Sequence, residues 1–362
     1  MKTKQIRSLV VLLLCLWAGA SFAAGMDTPG AVFTMTNDAT TNEVVMFNRD
    51  AKGMLSNAGS LPTGGKGSGG GLDPLGSQGS LMLSQDHRWL LAVNAGSNEI
   101  SLFRVRQGGL EMVDKVDSGG TFPSSVAIFR ELVYVLNSGG SPNITGFELS
   151  DTGQLTPIAD STRLLGTGSF AQVGFDPQGT MLVLTDKTDN EIFVYSVDDN
   201  GVPSANPVIS PSNGLTPFGF VFDKRGHLLV SEAATDAVST YNILSDGTLQ
   251  VISPSVGNGQ AATCWIAANR RGDVFTASPG THAISSYKLM AGNGALTLLN
   301  GTAGIGNRPL DLAITVNGRF LYALDPGNGT IHMFQINPKG TLVDLGAVAG
   351  GLSIFAQGVA AR

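Results

Sequence analysis

Short apolar stretches alternate with turn residues along almost the whole chain, and this alternation repeats. Residues 170–197 (FAQVGFDPQGTMLVLTDKTDNEIFVYSV) and 216–243 (TPFGFVFDKRGHLLVSEAATDAVSTYNI) share one plan. Each has an apolar stretch, a tight turn with glycine, a second apolar stretch that ends in an acid, a polar loop and a third stretch. A fourth segment with glycine and leucine follows, as in DGTLQVISP at 246–254. Apolar runs of this length between turn residues predict β-strands, so each unit is expected to be a four-stranded sheet.

The period of the repeat predicts the architecture. The second strands end 43 to 49 residues apart, at Asn94, Asn137, Asp186, Glu232, Ser278 and Asp325. Four-stranded units with this period are typical of the blades of a β-propeller. Counting the first strands gives seven blades, so the expected fold class is all-β, a seven-bladed β-propeller.

The two ends of the chain complement each other. Near the N-terminus, VFTMTND (32–38) matches a second strand, with no first strand before it. Near the C-terminus, FAQGVAA (355–361) repeats the first strand FAQVGF (170–175), with no second strand after it. We therefore expect residues 355–361 and 31–50 to lie in one sheet, which closes the ring and removes its exposed edges.

One spacing is longer than the others, because 57 residues separate Asn37 from Asn94. The excess contains the Gly/Ser-rich stretch LPTGGKGSGGGLDPLGSQGS (61–80). Two interpretations remain open: a flexible linker, or a mobile flap over one face of the ring. The composition favours the linker, since segments of this kind rarely order themselves.

Composition and charge narrow the functional classes. The chain has 48 glycines, 14% charged residues and a net charge of −6, which argues against disorder and against collagen. No cluster of Lys and Arg lies beyond the N-terminus, so nucleic acid is not an expected partner. With four histidines in 362 residues and no cysteine pair after Cys15 is removed, a Cys/His metal site is not expected either.

The N-terminus has the plan of a secretory signal peptide. Basic residues precede an apolar run at 9–17, and small residues follow at 18–24. We expect residues 1–24 to be cleaved and residues 25–362 to form a single domain. The mature protein is then expected to be an exported, periplasmic or secreted monomer without a membrane anchor.

At these repeats the sequence resembles the seven-bladed β-propeller lactonase family, which includes 6-phosphogluconolactonase-like and carboxymuconate-cyclase-like proteins. The resemblance covers essentially the whole mature chain and implies a small-molecule ligand such as a lactone. It also implies a Pro-Arg-His run at the start of a mid-chain first strand and an acid at the end of the second strand of that blade. Here Pro217 and Glu232 match, but Phe218 and Gly219 replace Arg and His. The fold is matched more closely than the active site.

Aligning the blades predicts which residues meet at one mouth of the central channel. Glu232 and Asp186 are the candidate catalytic bases, because a carboxylate can activate water. The candidate ligand-binding residues are Gln172, Trp265, Asp311, Asp325, Gln357, Asn137, Lys187 and Arg308. The carboxylates of Asp186, Glu232, Asp325 and Asp311 could instead bind Ca²⁺. The main expectation is that the protein has no metal and no cofactor. Each strand-end Asn or Asp could also simply cap local backbone groups.

Two functions from different classes remain at this stage. The first is a hydrolase or isomerase that acts on a small lactone, with Glu232 or Asp186 as the base. The second is a binding or scaffold propeller without catalysis. Because the expected mouth is acidic, weak or absent activity on phosphorylated sugar lactones is predicted, with a neutral sugar or aromatic ring stacked on Trp265 as the ligand.

Overall fold

The computed structural model describes residues 29–362, so the predicted signal peptide lies outside the described residues. The described residues form 29 β-strands in seven sheets. Each sheet is antiparallel and forms one blade, as the repeat predicted.

The strands of the first four blades are as follows, in order from the channel outwards. Blade 1 contains β29 (Gln357–Ala361), β1 (Gly30–Met35), β2 (Glu43–Arg49) and β3 (Leu55–Pro62). Blade 2 contains β4 (Leu81–Leu83), β5 (Trp89–Asn94), β6 (Glu99–Arg106) and β7 (Gly109–Asp117). Blade 3 contains β8 (Thr121–Phe129), β9 (Leu132–Gly139), β10 (Asn143–Leu149), β11 (Leu155–Pro157) and β12 (Arg163–Leu164). Blade 4 contains β13 (Phe170–Phe175), β14 (Met181–Asp186), β15 (Glu191–Ser196) and β16 (Val208–Pro211).

The remaining three blades follow the same order. Blade 5 contains β17 (Pro217–Phe222), β18 (Leu228–Glu232), β19 (Ala237–Ile243) and β20 (Leu249–Gly257). Blade 6 contains β21 (Trp265–Ala268), β22 (Asp273–Ser278), β23 (Ala283–Leu289) and β24 (Leu296–Ile305). Blade 7 contains β25 (Leu312–Ile314), β26 (Phe320–Asp325), β27 (Thr330–Ile336) and β28 (Leu342–Ala349).

Blade 1 is built from both ends of the described chain. The C-terminal strand β29 pairs antiparallel with β1, and Thr34 lies opposite Val359. The Thr34 hydroxyl also donates to the Gly358 carbonyl at 2.6 Å. The predicted ring closure is therefore confirmed.

The hydrophobic core lies between neighbouring blades rather than at one centre. Second strands such as β5 and β26 are buried along their whole length, because both of their faces pack against adjacent blades. This explains why they appear in the sequence as continuous apolar runs and not as alternating ones. The outer strands β3 and β28 are largely exposed.

Blade 3 departs from the four-stranded plan. Its outer strand is split into β11 and β12, which pair with successive parts of β10. The intervening turn has its Asp160 backbone at a positive φ of 57°. Only the outer edge of the blade changes, so the channel is unaffected.

The first strands line the central channel and define its two ends. At one end, which we call the mouth face, the first strands begin and the second strands end. At the other, the turn face, the first strands connect to the second strands. Every predicted site residue therefore belongs to an identifiable end of the channel.

Candidate functional site

The Gly/Ser-rich segment 61–80 packs into the mouth face, so the flexible-linker interpretation is not what the structure shows. Its last part, residues 73–79, enters the channel, and we call these residues the plug. The Ser77 hydroxyl donates to Ser124 O at 2.7 Å, and the Trp265 indole donates to Ser77 O at 3.0 Å. The backbone N–H of Gln78 donates to Ala171 O at 3.1 Å. The plug is thus bonded to the inner parts of blades 3, 4 and 6.

Gln78 closes the channel from the mouth side. Its side chain accepts from Ile266 N at 2.9 Å and donates to Ile266 O at 3.1 Å. Gln172 makes the same pair of bonds to Phe220 N and O, at 2.7 and 3.0 Å. Both carboxamides therefore satisfy backbone groups of neighbouring inner strands, which a buried polar group requires.

Gly219 provides the space that Gln78 occupies. A Cβ at this position would lie 2.2 Å from the Gln78 Oε1 atom, which is closer than any real contact. The family resemblance implies histidine at this point of the first strand. The plug therefore fills volume that the side chain would need.

The channel remains open at the turn face, where it forms a cavity of about 740 Å³. All seven blades contribute to its wall, and its plugged end is formed by Gln78, Gln172 and Asp311. The wall between is formed by first-strand residues, among them Met82, Val173, Phe220, Ile266, Leu312 and Val359. Its rim at the turn face contains polar residues such as His87, Lys224 and Arg270. This volume is in the range of small-molecule binding sites.

Asp311 is the ionisable residue at the plugged end of the cavity. Its side chain is only 6% exposed and accepts a hydrogen bond from Leu312 N at 3.1 Å. Burial raises the pKa of Asp311 to about 7, and the charge of Asp73 on the plug acts in the same direction. A carboxyl with this pKa can exchange a proton at neutral pH.

Asp73 and Lys187 lie together on the mouth side of the plug. Burial also raises the pKa of Asp73 to about 7, although the Lys187 ammonium and a 3.3 Å bond from Gln357 oppose the shift. Lys187 Nζ donates to Gly76 O at 2.5 Å and lies 5.3 Å from the centre of the Phe218 ring. Burial lowers the pKa of Lys187. Lys187 and Gln357 thus hold the plug in place.

The two candidate bases cap loops within their own blades. Asp186 Oδ1 accepts from Ser169 N at 3.0 Å and from Thr188 N at 2.9 Å. Glu232 accepts from Gly214 N at 2.8 Å and from the Ser255 hydroxyl at 2.7 Å. Neither residue lines the cavity. The structure thus supports the capping interpretation for both carboxylates.

Asp325 and Asn137 occupy equivalent positions. Asp325 Oδ2 accepts from Asn307 N at 2.5 Å, and Asn137 Nδ2 donates to Ser118 O at 3.0 Å. Burial raises the pKa of Asp325. The predicted sharing of one cavity by Asp186, Glu232 and Asp325 with Gln172, Asp311 and Gln357 is wrong. Of these six residues Gln172 and Asp311 line the cavity, and each of the three strand-end acids turns towards the loop that precedes its own first strand.

Trp265 and Arg308 are not placed to hold a ligand in the cavity. Trp265 is 1% exposed and packs edge-on against Phe218 at 5.1 Å, so its ring has no free face for stacking. Arg308 is exposed on a mouth-face loop, and its backbone N–H donates to His282 Nδ1 at 3.1 Å. Of the ten predicted site residues, Gln172 and Asp311 line the cavity.

Sequence reasoning missed Asp73 and Gln78, the plug residues that contact the predicted site residues Gln357 and Lys187 and close the channel, respectively. The repeat alignment could not reveal them, because segment 61–80 has no counterpart in the other blades. The available signal was the cluster Leu72, Asp73, Leu75 and Gln78 inside a stretch of glycine and serine.

Within residues 29–362, no group of three or more His, Cys, Asp or Glu side chains is arranged to hold a metal ion. None of the described residues belongs to a helix long and apolar enough to cross a membrane.

Comparison with known families also points to a seven-bladed propeller, the architecture that the repeat predicts. The model of the family described as "Lactonase, 7-bladed beta-propeller" matches residues 40–166. An uncharacterized protein of Staphylococcus aureus strain N315 is 34% identical over 94 residues. This match covers 25% of the present chain and 27% of the relative, so the chain matches about a quarter of that relative's length.

Solved structures share the fold over nearly the whole chain. A periplasmic gluconolactonase from Pseudomonas aeruginosa has a TM-score of 0.73 at 14% identity, covering 92% of this chain and 99% of that one. A protein from Bacteroides fragilis, provisionally assigned as a 6-phosphogluconolactonase, has a TM-score of 0.72 at 17% identity, covering 93% and 98%. The resemblance to the seven-bladed lactonase propellers is confirmed.

Proposed function

We propose that this lactonase-like propeller binds a small neutral lactone in its central channel, entering from the turn face, and hydrolyses it. The observation that carries the proposal is the cavity of about 740 Å³ with Asp311 at its plugged end. Lactone opening needs a group that takes a proton from water. Asp311, whose pKa is about 7, fits that role at neutral pH.

The proposed base, Asp311, differs from Asp186 and Glu232, the two candidate bases expected from the sequence. The carboxylate oxygens of Asp186 and Glu232 accept hydrogen bonds from loop N–H groups and, for Glu232, from the Ser255 hydroxyl. Asp311 instead lies on the cavity wall, where it is 6% exposed and accepts hydrogen bonds from the backbone N–H groups of Leu312 and Val359. Burial outweighs these bonds and raises the pKa of Asp311 to about 7, which suits a general base at neutral pH.

The test is hydrolysis of a lactone panel by the protein lacking residues 1–24, followed by pH-stat titration. We expect turnover that depends on an ionised group with a pKa near 7. Asp311→Asn should reduce kcat by at least about a hundredfold, the lower range for loss of a general base. Glu232→Gln is the matched control. Full activity in Asp311→Asn would contradict the assignment.

A second candidate is a binding propeller without catalysis. Catalysis of lactone opening needs a group that stabilises the oxyanion, and the described residues of the inner wall include no cation. The lining cations Lys224 and Arg270 lie at the rim, which favours binding without catalysis. Saturable lactone binding without turnover in the same panel would select this function.

We further propose that the protein is exported, on the basis of its first 24 residues. Cell fractionation of the full-length chain, followed by N-terminal sequencing of the product, tests this. An intact N-terminus in the cytoplasm would contradict export.

A further inference from the structure

The plug is held in the channel through its main chain, in the way that a bound peptide is held. Each of the four residues 76–79 contributes one main-chain group to a hydrogen bond with the ring. The partners are, in order, the Lys187 ammonium, the Trp265 indole N–H, the Ala171 carbonyl and the Val126 N–H, at 2.5, 3.0, 3.1 and 2.8 Å. In peptide recognition, main-chain hydrogen bonds provide affinity and pockets for side chains provide specificity.

One such pocket lies between blades 5 and 6 and holds the Gln78 side chain. The Gln78 carboxamide accepts from Ile266 N at 2.9 Å and donates to Ile266 O at 3.1 Å, and the residue is only 9% exposed. Gly219 provides the space, since a Cβ there would lie 2.2 Å from Gln78 Oε1. An ionised glutamate could not donate to the Ile266 carbonyl, and an alanine would reach neither group. The pocket therefore selects glutamine.

The neighbouring plug positions are restricted as well. The Ser77 hydroxyl donates to Ser124 O at 2.7 Å, and Ser77 is 1% exposed. Gly76 and Gly79 have φ values of 56° and 85°, a conformation that glycine adopts without strain. A Cβ on Gly76 would also lie 3.0 Å from Lys187 Nζ. The mouth side of the channel thus fits the pattern Gly-Ser-Gln-Gly.

We propose that the mouth face is a binding site for a peptide with the pattern Gly-Ser-Gln-Gly, and that the plug occupies this site within its own chain. The inference goes beyond the proposed function, which concerns the cavity on the other side of Gln78. Because the plug is tethered, its effective concentration at the site is of millimolar order, so a partner peptide has to compete with it. The partner is a protein segment that carries this pattern.

Binding is measured by isothermal titration calorimetry on the protein without residues 1–24, in which a Gly-Ser sequence of equal length replaces residues 73–79. The probes are the blocked synthetic peptide DPLGSQG and the same peptide with alanine in place of glutamine. We expect the glutamine peptide to bind at least about tenfold more tightly, since the alanine peptide loses two hydrogen bonds. The protein with its own plug should bind the glutamine peptide at least about tenfold more weakly than the replaced one. Equal affinity for the two peptides, equal affinity of the two proteins, or no saturable binding would overturn the inference.

A pair of glycine variants tests whether the peptide uses the glutamine pocket. In the plug-replaced protein, Gly219→Ala should weaken binding of the glutamine peptide by about tenfold or more, because the new Cβ fills the place of the carboxamide. Gly109→Ala is the matched control, since a Cβ there meets nothing within 4 Å, and it should change no affinity. Unchanged affinity in a folded Gly219→Ala protein would overturn the inference.

A second host keeps the test decisive if the Gly-Ser replacement does not fold. The double variant Ser77→Gly/Gln78→Gly retains the length of the plug but removes the side-chain bonds to Ser124 and Ile266. The same two peptides should show the same preference for glutamine in this protein. Equal binding of both peptides, or no binding of either, would overturn the inference there as well.

Discussion

At the scale of single residues, position 219 links the plug to the inner strand of blade 5. The missing side chain leaves room for the Gln78 carboxamide, which in turn bonds to Ile266. The residue that departs from the family pattern therefore has a packing function here. Phe218, the other departure, packs against Trp265 and beneath the Lys187 ammonium.

This coupling can be tested with a double-mutant cycle. Gly219→Ala should lower the free energy of unfolding by about 2 kcal/mol, because the new Cβ overlaps Gln78 Oε1. In a Gln78→Ala background the same change should cost less, although the Cys264 carbonyl, 2.9 Å from that Cβ, prevents full recovery. The measurement is urea denaturation of all four proteins. Strictly additive effects would show that the two positions are independent.

The buried carboxyl of Asp311 makes stability depend on pH. Its pKa is about 7 in the folded protein and 3.8 in a free side chain, so the folded state holds the proton more tightly. This contribution to stability is fully present below about pH 4 and is lost as the pH rises towards 7 and above. The pKa of Asp73 is also raised in the folded protein, so Asp73 contributes to the pH dependence of stability with the same sign.

Asp311→Asn should therefore flatten the decline of Tm between about pH 4 and pH 7, the range spanned by the pKa shift. It should also raise Tm at the upper end, since the amide carries no charge to bury. The control is Asp199→Asn at an exposed position. A parallel pH profile for the wild type and Asp311→Asn would contradict the raised pKa.

At the scale of elements, the plug differs from every other connection between blades. Ser77 and Gln78 bond to the inner strands β8 and β21, and Lys187, from the loop after β14, donates to Gly76 O. Hydrogen bonds to three separate blades hold it in one position, and they also tie those blades together.

Replacing residues 73–79 by a Gly-Ser sequence of equal length should open the mouth. We expect a lower Tm and a red-shifted fluorescence of Trp265, because its indole loses the Ser77 carbonyl and gains contact with water. The experiment uses a Trp89→Phe background, so that Trp265 reports alone in the chain without residues 1–24. An unchanged emission maximum would show that the plug does not cover Trp265.

At the scale of the whole molecule, the ring depends on β29. This strand pairs with β1 along four residues, and Arg362 O accepts hydrogen bonds from Arg49. Without it, blade 1 would expose an unpaired edge beside the channel, and blades 7 and 2 would lose a neighbour.

Deleting residues 353–362 should sharply destabilise the protein in thermal denaturation. A matched pair of substitutions separates the effect of losing the β29 pairing from the effect of shortening the chain. Val359→Asp places a charge in β29 at a 6% exposed side chain, and Val343→Asp does so in β28 at a 47% exposed one. The first should lower Tm strongly and the second little. Similar Tm values for both variants would contradict the role of β29 in closure.

The sequence alone determined the architecture. Seven repeats, the position of each second-strand end and the complementary termini are properties of a pattern that recurs, so each repeat supports the others. The structure reproduces the ends of β5, β14, β18, β22 and β26 at the predicted residues. It also places FAQGVAA beside VFTM, as the repeat required.

Only the tertiary structure decided where the candidate chemistry lies. A strand-end carboxylate can turn towards the channel or towards a loop, and the choice depends on where the loop N–H groups are, as Asp186 and Glu232 show. The plug occurs once and has the composition of a linker, so no repeat or propensity predicts that Gln78 will enter the channel. The plug is held in one position by contacts with blades that are distant in the sequence, so the local sequence does not predict that position.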